Sequence, residues 1–412
     1  DDDIVQESTN FMKRLVLFPE LYTTFEKQRR FGLLVRNMIQ YVKFMERKEL
    51  DEFYLFSYGT RDAEALLAVQ RDGTFPAGFH VLTPPLWLAS RIGLIIYSMI
   101  GPFIHRAELK KADVFKTQQV TGSWTALIAK ILCKKPLLFR LGYPLSVRFR
   151  SEGKRLNYLI ARFVERLVVR NADHVAVTSS IMQRYYGAMS RQPNVTMLPN
   201  YVDLSLASPI SEYDRRKPIL FVGRLEPVKN IDKIIVACSR LKVPLHLYYG
   251  GGNLEGHLRK LAAEVGAVVE FKGSVSNEEL MRIHHNHSIF MLCSLREGMP
   301  KAMIEAMASG LICVGTRTDG VSELIEHGKT GYLAGGFDAD AIATALAMAL
   351  KEMNPQIGRN AREFAIKNHA LDHAVDIELG ILKKIITLAQ AADHRPSLKT
   401  GKSSASTGQP SN

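Results

Sequence analysis

Ile219-Leu220-Phe221-Val222-Gly223-Arg224-Leu225-Glu226-Pro227-Val228-Lys229-Asn230 decides how the second half of this chain folds. Its first four residues form an uninterrupted apolar run, as in a strand buried on both faces of a parallel sheet. Gly223 breaks the run, and Ile231, Ile234, Ile235, Cys238 and Leu241 then recur on one side of a helix. Strand, glycine turn and helix put the loop between them at the C-terminal edge of a parallel sheet, where α/β folds bind ligands. Arg224 and Lys229 fall in that loop. Arginine offers phosphate oxygens a planar fork and lysine offers a compact charge. Taken singly, either would more simply be a solvated surface cation.

A second stretch lies downstream, at Arg296-Glu297-Gly298-Met299-Pro300-Lys301-Ala302-Met303-Ile304-Glu305. Pro300 can open a helix and Gly310 can close it. Ala302, Met303, Ile304, Ala306, Met307 and Ala308 make that helix apolar almost all round, so it is expected to be buried. Glu305 stands alone in it, and a buried carboxylate needs a partner to offset the loss of water. Glu297 precedes the helix N-terminus, where backbone N–H groups and the helix dipole favour anions. The pair can grip hydroxyls beside a phosphate cradle. Two structural glutamates, one capping the helix and one in a buried ion pair, explain the same residues.

The order of these blocks resembles the retaining GT-B glycosyltransferases of glycosyltransferase family 4, the group 1 glycosyltransferases. The resemblance is close over residues 198–350. It includes Pro199-Asn200-Tyr201-Val202-Asp203, the Gly223 to Asn230 loop, Gly250-Gly251-Gly252 and Phe271-Lys272-Gly273-Ser274-Val275. The Glu297 and Glu305 pair, Thr318-Asp319-Gly320-Val321-Ser322-Glu323 and Gly328-Lys329-Thr330-Gly331-Tyr332 complete it. Any one block is weak evidence, whereas seven in the right order are specific.

The resemblance implies a nucleotide-sugar donor whose diphosphate is held by Arg224 and Lys229, with Glu305 on the ribose hydroxyls and Glu297 near the reacting carbon of the sugar. The backbone of Gly298, Met299 and Pro300 would line the sugar and phosphate pocket, and Gly250 and Gly251 would border it. The base would rest against Lys272, Gly273, Ser274 and Val275. Arg224, Lys229 and the helix N-terminus would meet the charge that develops on the leaving diphosphate. The reaction would then be a front-face displacement with retention, without a metal or other cofactor. The implied architecture is α/β GT-B, two Rossmann-like domains facing across a cleft, with a C-terminal helix returning to the first domain.

The first domain departs from the family pattern. Pro19-Glu20-Leu21-Tyr22 stands where many members carry a glycine pair, and Phe139-Arg140-Leu141-Gly142-Tyr143 where many carry a histidine that touches the donor sugar. Arg140 and Tyr143 are the candidates for that contact.

Length and composition agree with a two-domain globular protein: 412 residues, 46% apolar and 23% charged. A leader at 1–11, domains at 12–200 and 203–368, a crossing helix at 369–394 and a disordered tail at 395–412 are expected. First-domain strands are expected at 15–18, 53–56, 114–117, 137–141 and 174–178, with helices at 26–47, 123–133 and 155–169. Second-domain strands are expected at 219–222, 245–249, 268–271, 289–293 and 312–316. Cys133, Cys238, Cys293 and Cys313 are scattered in apolar settings without metal-ligand spacing. They read as reduced core thiols of a cytoplasmic protein. His284, His285 and His287 have no carboxylate or cysteine partner at ligand spacing.

Charge is lopsided. Residues 1–200 hold 29 Lys and Arg against 18 Asp and Glu, whereas residues 201–412 hold 25 against 23. Between 102 and 170 there are 15 cations and 4 acids. Such a face suits an anionic membrane surface at the inner side of a plasma membrane, or a phosphorylated acceptor, or it is simply solvated. Residues 86–104 are long and apolar enough to raise a membrane span, but Arg91, Pro102 and two glycines argue for a core or surface helix, with partial burial in a membrane interface as the functional alternative. A bacterial surface glycan or its lipid-linked precursor is the expected acceptor. Two rival functions, another GT-B reaction such as nucleotide-sugar epimerisation and nucleic-acid binding, fit less well. The first needs no basic acceptor face, and the second wants more aromatics interleaved with the basic tract.

Overall fold

The computed structural model describes residues 11–30, 34–73, 75–190 and 194–393. The leader expected at 1–11, apart from Phe11, and the tail expected at 395–412 lie outside them. Two all-parallel sheets organise the chain. The first contains β1 (Met12–Phe18), β2 (Leu50–Phe56), β3 (Phe79–Leu82), β4 (Val114–Thr117), β5 (Leu137–Leu141), β6 (His174–Val177) and β7 (Val195–Met197) in the order β3-β2-β1-β4-β5-β6-β7. The second contains β8 (Ile219–Val222), β9 (Leu245–Tyr248), β10 (Val269–Gly273), β11 (Ile289–Leu292), β12 (Ile312–Thr316) and β13 (Tyr332–Ala334) in the order β10-β9-β8-β11-β12-β13. In each sheet the order reverses beside the first strand, and such switch points open the crevice in which α/β folds take their ligands.

Strands β4, β5, β8 and β12 match their expected bounds, β6, β9 and β11 end one residue earlier, and β10 runs 269–273 where 268–271 was expected. The edge strands β3, β7 and β13 were not expected, since each has only three or four residues and offers no periodicity to read. β1 and β2 begin three residues earlier than expected, with Lys13, Arg14, Asp51 and Glu52 among their first three residues. Arg14 sits opposite Glu52 in the parallel register, and its Nε donates to Glu52 Oε2 at 2.6 Å. The single helix expected at 26–47 is described as two, Phe25–Arg30 and Leu34–Glu46, with 31–33 outside the described residues.

The C-terminal helix Leu371–Asp393 leaves the second unit and packs into the first. Leu371, Val375, Leu382 and Ile386 join Leu17, Met38, Tyr41 and Leu138 in one core. Lys116 on β4 and Glu378 on this helix form a fully buried ion pair in that core. Burial pushes the Lys116 ammonium down to about 8. The outgoing and returning connections run side by side: Val202 N donates to His369 O at 2.8 Å and Leu371 N to Val202 O at 3.0 Å.

Across the cleft the two units touch closely. The Glu323 carboxylate accepts from Ser180 N at 3.0 Å and Ser180 Oγ at 2.8 Å. Asn200 Nδ2 donates to Met299 O at 2.7 Å. Gly298 lies against the Gly142 carbonyl and Gly320 against the Gly298 carbonyl, so a Cβ at either position would collide with backbone. Glycine is required at these two positions by close approach.

Candidate donor site in the interdomain cleft

The C-terminal ends of β8, β9, β10 and β11 deliver four loops to one cavity of about 410 Å³. β8 brings Gly223, Arg224 and Lys229, the next two strands bring Gly250 and Gly273-Ser274-Val275, and the loop after β11 brings Glu297, Met299 and Pro300. Arg36 and Lys301 also reach the wall. The β8 loop holds its shape through Asn230, whose left-handed backbone (φ 55°) ends the Pro227–Lys229 turn. Its Nδ2 donates to Phe337 O at 2.8 Å, and Leu295 N donates to Val228 O at 2.8 Å, tying the β8 and β11 loops together.

A second cavity of about 510 Å³ opens between the two units, with Tyr143, Arg148 and Glu152 on the first-unit side. It shares Arg224, Lys229 and Glu297 with the first cavity, so these three form the partition between them. Lys229 Nζ donates to Glu297 Oε1 at 2.6 Å, and Ser294 Oγ donates to the same oxygen at 2.6 Å. Arg224 is exposed and reaches Glu226 Oε1 at 2.9 Å. The helix Lys301–Ala308 presents its N-terminus to the first cavity, with Pro300 at the cap position and not at the first helical position.

Glu305 corrects one expectation. It does not border the large cavity; it lines a small neighbouring one and is 2% exposed. Arg36, from helix Leu34–Glu46, lines both cavities and stands against it. Arg36 Nη2 donates to Glu305 Oε2 at 2.9 Å, while Nε lies 2.8 Å from Oε1 as a charge contact off the hydrogen-bonding direction. The geometry is that of the buried ion pair which the sequence left open. Burial raises the Glu305 carboxyl, with Arg36 and Lys301 pulling the other way. Burial, with Arg36 close by, lowers the Lys301 ammonium, which stacks 4.3 Å from the Tyr201 ring centre.

Three further expectations change. Lys272 is drawn aside by Glu270, and Gly251 lies behind the wall, with its carbonyl accepting from Leu225 N at 2.9 Å. Neither lines the cavity. Arg140 is buried and borders neither cleft cavity; it donates to Asn200 Oδ1 at 3.2 Å and so acts on Met299 through Asn200. A charged residue inside the all-buried strand β5 was the sequence signal for such a role. Tyr143 does reach the cleft, and Gly298 lines the second cavity. Arg36, Tyr248 and Tyr249, which line the first cavity, and Ser294, which bonds Glu297, carry no local mark in the sequence. His284 Nδ1 pairs with Ser309 Oγ at 2.8 Å and His287 Nδ1 with Ile283 O at 2.9 Å, so both rings have structural partners.

Two parallel α/β units facing across a cleft, strapped by a returning helix, define the GT-B glycosyltransferase fold. Residues 207–364 match the family of group 1 glycosyl transferases. The chain is therefore a transferase that moves a sugar. A relative from Campylobacter jejuni, the GalNAc-alpha-(1->4)-GalNAc-alpha-(1->3)-diNAcBac-PP-undecaprenol alpha-1,4-N-acetyl-D-galactosaminyltransferase, is 25% identical over 293 residues, 69% of this chain and 78% of the relative. The amylovoran biosynthesis glycosyltransferase AmsK of Erwinia amylovora is 34% identical over 175 residues, 39% of this chain and 42% of that one. The sucrose-phosphate synthase structure from Thermosynechococcus elongatus superposes with a TM-score of 0.75 at 18% identity, covering 92% of this chain and all of that chain. At that identity the likeness speaks for the fold.

Proposed function

We propose that this protein transfers a hexose-type sugar from a nucleoside diphosphate to a glycan or lipid-linked acceptor of bacterial surface polysaccharide synthesis, with retention of configuration. The observation that carries the reading is the shared partition of Arg224, Lys229 and Glu297 between the two cleft cavities. A donor in the first cavity would put its scissile bond at that wall, with the acceptor hydroxyl approaching from the second. The base would lie on Gly273-Ser274-Val275 and the diphosphate between Arg224, Lys229 and the N-terminus of helix Lys301–Ala308. Both named relatives work on bacterial glycans, and the Campylobacter acceptor is a diphosphate-linked polyprenol. The reading places the reaction at the cytoplasmic side of the membrane.

As the bond between anomeric carbon and phosphate oxygen breaks, its electron pair goes to the diphosphate. The cations and the helix N-terminus stabilise that charge, so the chain's own groups serve the leaving group without a divalent ion. The acceptor oxygen bonds the anomeric carbon on the face that the phosphate leaves, and the departing phosphate oxygen takes its proton. Glu297 holds hydrogen bonds from Lys229 and Ser294 on one oxygen. It therefore fits orientation of the sugar better than covalent attack.

The test is a thermal-shift series with UDP, GDP, ADP and their sugar conjugates, with and without Mg²⁺, followed by NMR of the product's anomeric configuration. A metal-independent shift with one nucleotide and a retained anomer are expected. No shift with any nucleotide, or an inverted product, would overturn the proposal.

A further inference from the structure

We propose that the outer faces of helices Arg91–Ile104 and Arg155–Asn171 form a docking surface for an anionic lipid bilayer. This deepens the reading of a lipid-linked acceptor but stands on separate observations. Both helices lie in right-handed crossovers on one face of the first sheet, β3 to β4 and β5 to β6. Helix Ser123–Cys133 lies between them. It shares one core with Tyr97 of the first helix and another with Val168 of the second.

The helix Arg155–Asn171 carries two apolar stripes. Ala161, Val168 and Val169 face the core, and Leu156, Ile160, Phe163 and Leu167 recur at helical spacing on the opposite, exposed face. A helix that only covered its sheet would be polar there. The helix Arg91–Ile104 repeats the arrangement: Tyr97 and Ser98 are buried, while Ile92, Ile96, Met99 and Phe103 are exposed. Just before it Trp87 is 71% exposed, and Phe163 on the other helix is 68% exposed. An exposed apolar surface built from two helices marks a contact site.

Charge selects the occupant. Residues 86–104 contain no acid, and in Arg155–Asn171 the one carboxylate, Glu165, is buried on Ser146 N at 2.9 Å. Exposed Arg91, Arg106, Lys110, Arg155, Arg166 and Arg170 rim the apolar residues. A second copy docked through this face about a two-fold axis would set like charges opposite each other. An anionic bilayer instead meets cations with phosphates, takes the apolar side chains into its interface and seats Trp87 at headgroup depth. Among the described residues no helix is long and apolar enough to cross a membrane, so this contact is peripheral. Arg148 and Glu152 of the acceptor-side cavity precede Arg155 by a few residues, so a lipid held in such a bilayer would present its head group at the cleft.

The experiment is co-sedimentation of the whole chain with phosphatidylcholine vesicles and with phosphatidylcholine–phosphatidylglycerol vesicles, at about 0.1 M and about 1 M salt. Leu159 lies exposed beside the Leu156 stripe, and the Leu159→Gln/Phe163→Gln and Arg166→Glu/Arg170→Glu variants change only exposed side chains. The wild type is expected to bind the anionic vesicles, to lose most binding in high salt, and to show a blue shift of tryptophan emission that is absent in Trp87→Phe, where Trp124 is the remaining indole. Each double variant should partition on the order of tenfold less, with an unchanged nucleotide thermal shift. Wild type that stays in the supernatant with anionic vesicles, or variants that partition equally, would refute the surface. So would a wild-type dimer in light scattering that the Leu159→Gln/Phe163→Gln change abolishes. A failed nucleotide shift with intact vesicle binding would overturn only the donor assignment.

Discussion

Replacing Arg36 by Met tests how the cleft is held together. The substitution keeps much of the side-chain volume and removes the charge that faces Glu305. In the native chain one aligned bond at 2.9 Å and one charge contact at 2.8 Å join the two units through these residues. Glu305 is 2% exposed, so in the variant its carboxylate loses the guanidinium in a setting poor in water. Stranding one partner of a buried pair costs about 3–5 kcal/mol. Glu305 can limit that loss by taking a proton, since burial already raises its carboxyl. A carboxyl whose folded pKa exceeds its unfolded value holds more protons in the folded state, so its contribution to stability falls as pH rises between the two values. The penalty of Arg36→Met should therefore be near 3 kcal/mol at pH 8 and smaller at pH 5.5, by roughly 1.4 kcal/mol for each unit of pH inside that window. Urea unfolding of both proteins at the two pH values measures it. Arg36→Met/Glu305→Leu should recover part of the loss, because neither member of the pair is then stranded, while Lys301 gives up its counter-charge. A penalty below about 1 kcal/mol that does not change with pH would show that this pair is not the buried, dry contact argued here.

Three other outcomes follow from the same geometry. Lys229→Ala should lower turnover by about 10²–10³, the scale for removing one preorganised charge stabiliser; steady-state kinetics giving near-native kcat would remove Lys229 from the mechanism. Glu226→Gln releases Arg224 from an exposed pair worth about 0–1 kcal/mol. It should tighten nucleoside diphosphate binding by at most about fivefold in calorimetry, and weaker binding would contradict the role of Arg224. Burial lowers His287 to about 4 and lowers His174 to about 4. Their folded values lie below the unfolded one, so they support the fold above about pH 6.5, and that support is lost as pH falls toward 4. Wild type should lose stability across that window, and His287→Gln should flatten the pH dependence measured by thermal unfolding.

What the sequence discloses depends on how far apart the interacting residues lie. Arg224, Lys229 and Glu297 were readable because two short loops carry them and a strand or helix beside each loop fixes its place. Arg36 was not, although its effect was. A lone glutamate in an apolar helix demands a partner, but the partner is 269 residues away on an ordinary amphipathic helix. Lys116 is similar: a lysine inside a fully buried strand signals a counter-charge, and only the returning helix reveals Glu378. Lys272 and Gly251 were placed at the cavity by the family resemblance of their blocks, yet side-chain direction and one turn of backbone take them off its wall. In residues 86–104 the apolar pattern was visible, but sequence periodicity does not say which apolar stripe meets the core.

Three cations around the candidate donor cavity already have carboxylate partners: Lys229 with Glu297, Arg224 with Glu226, and Arg36 with Glu305. A diphosphate entering the cavity would therefore exchange one anion for another, and its affinity would reflect a difference between pairs. The pairs are unequal. Lys229 is largely buried, its side chain 18% exposed, and shares its carboxylate oxygen with Ser294, so its position is set before any ligand arrives. Arg224, with a side chain 64% exposed, is held by a single contact that water can replace. In the proposed reaction the fixed lysine would define where the leaving charge must form, and the loose arginine would follow the phosphate as it departs. Preorganisation is useful only at the group whose position decides the transition state, and the burial of these two cations differs in that sense.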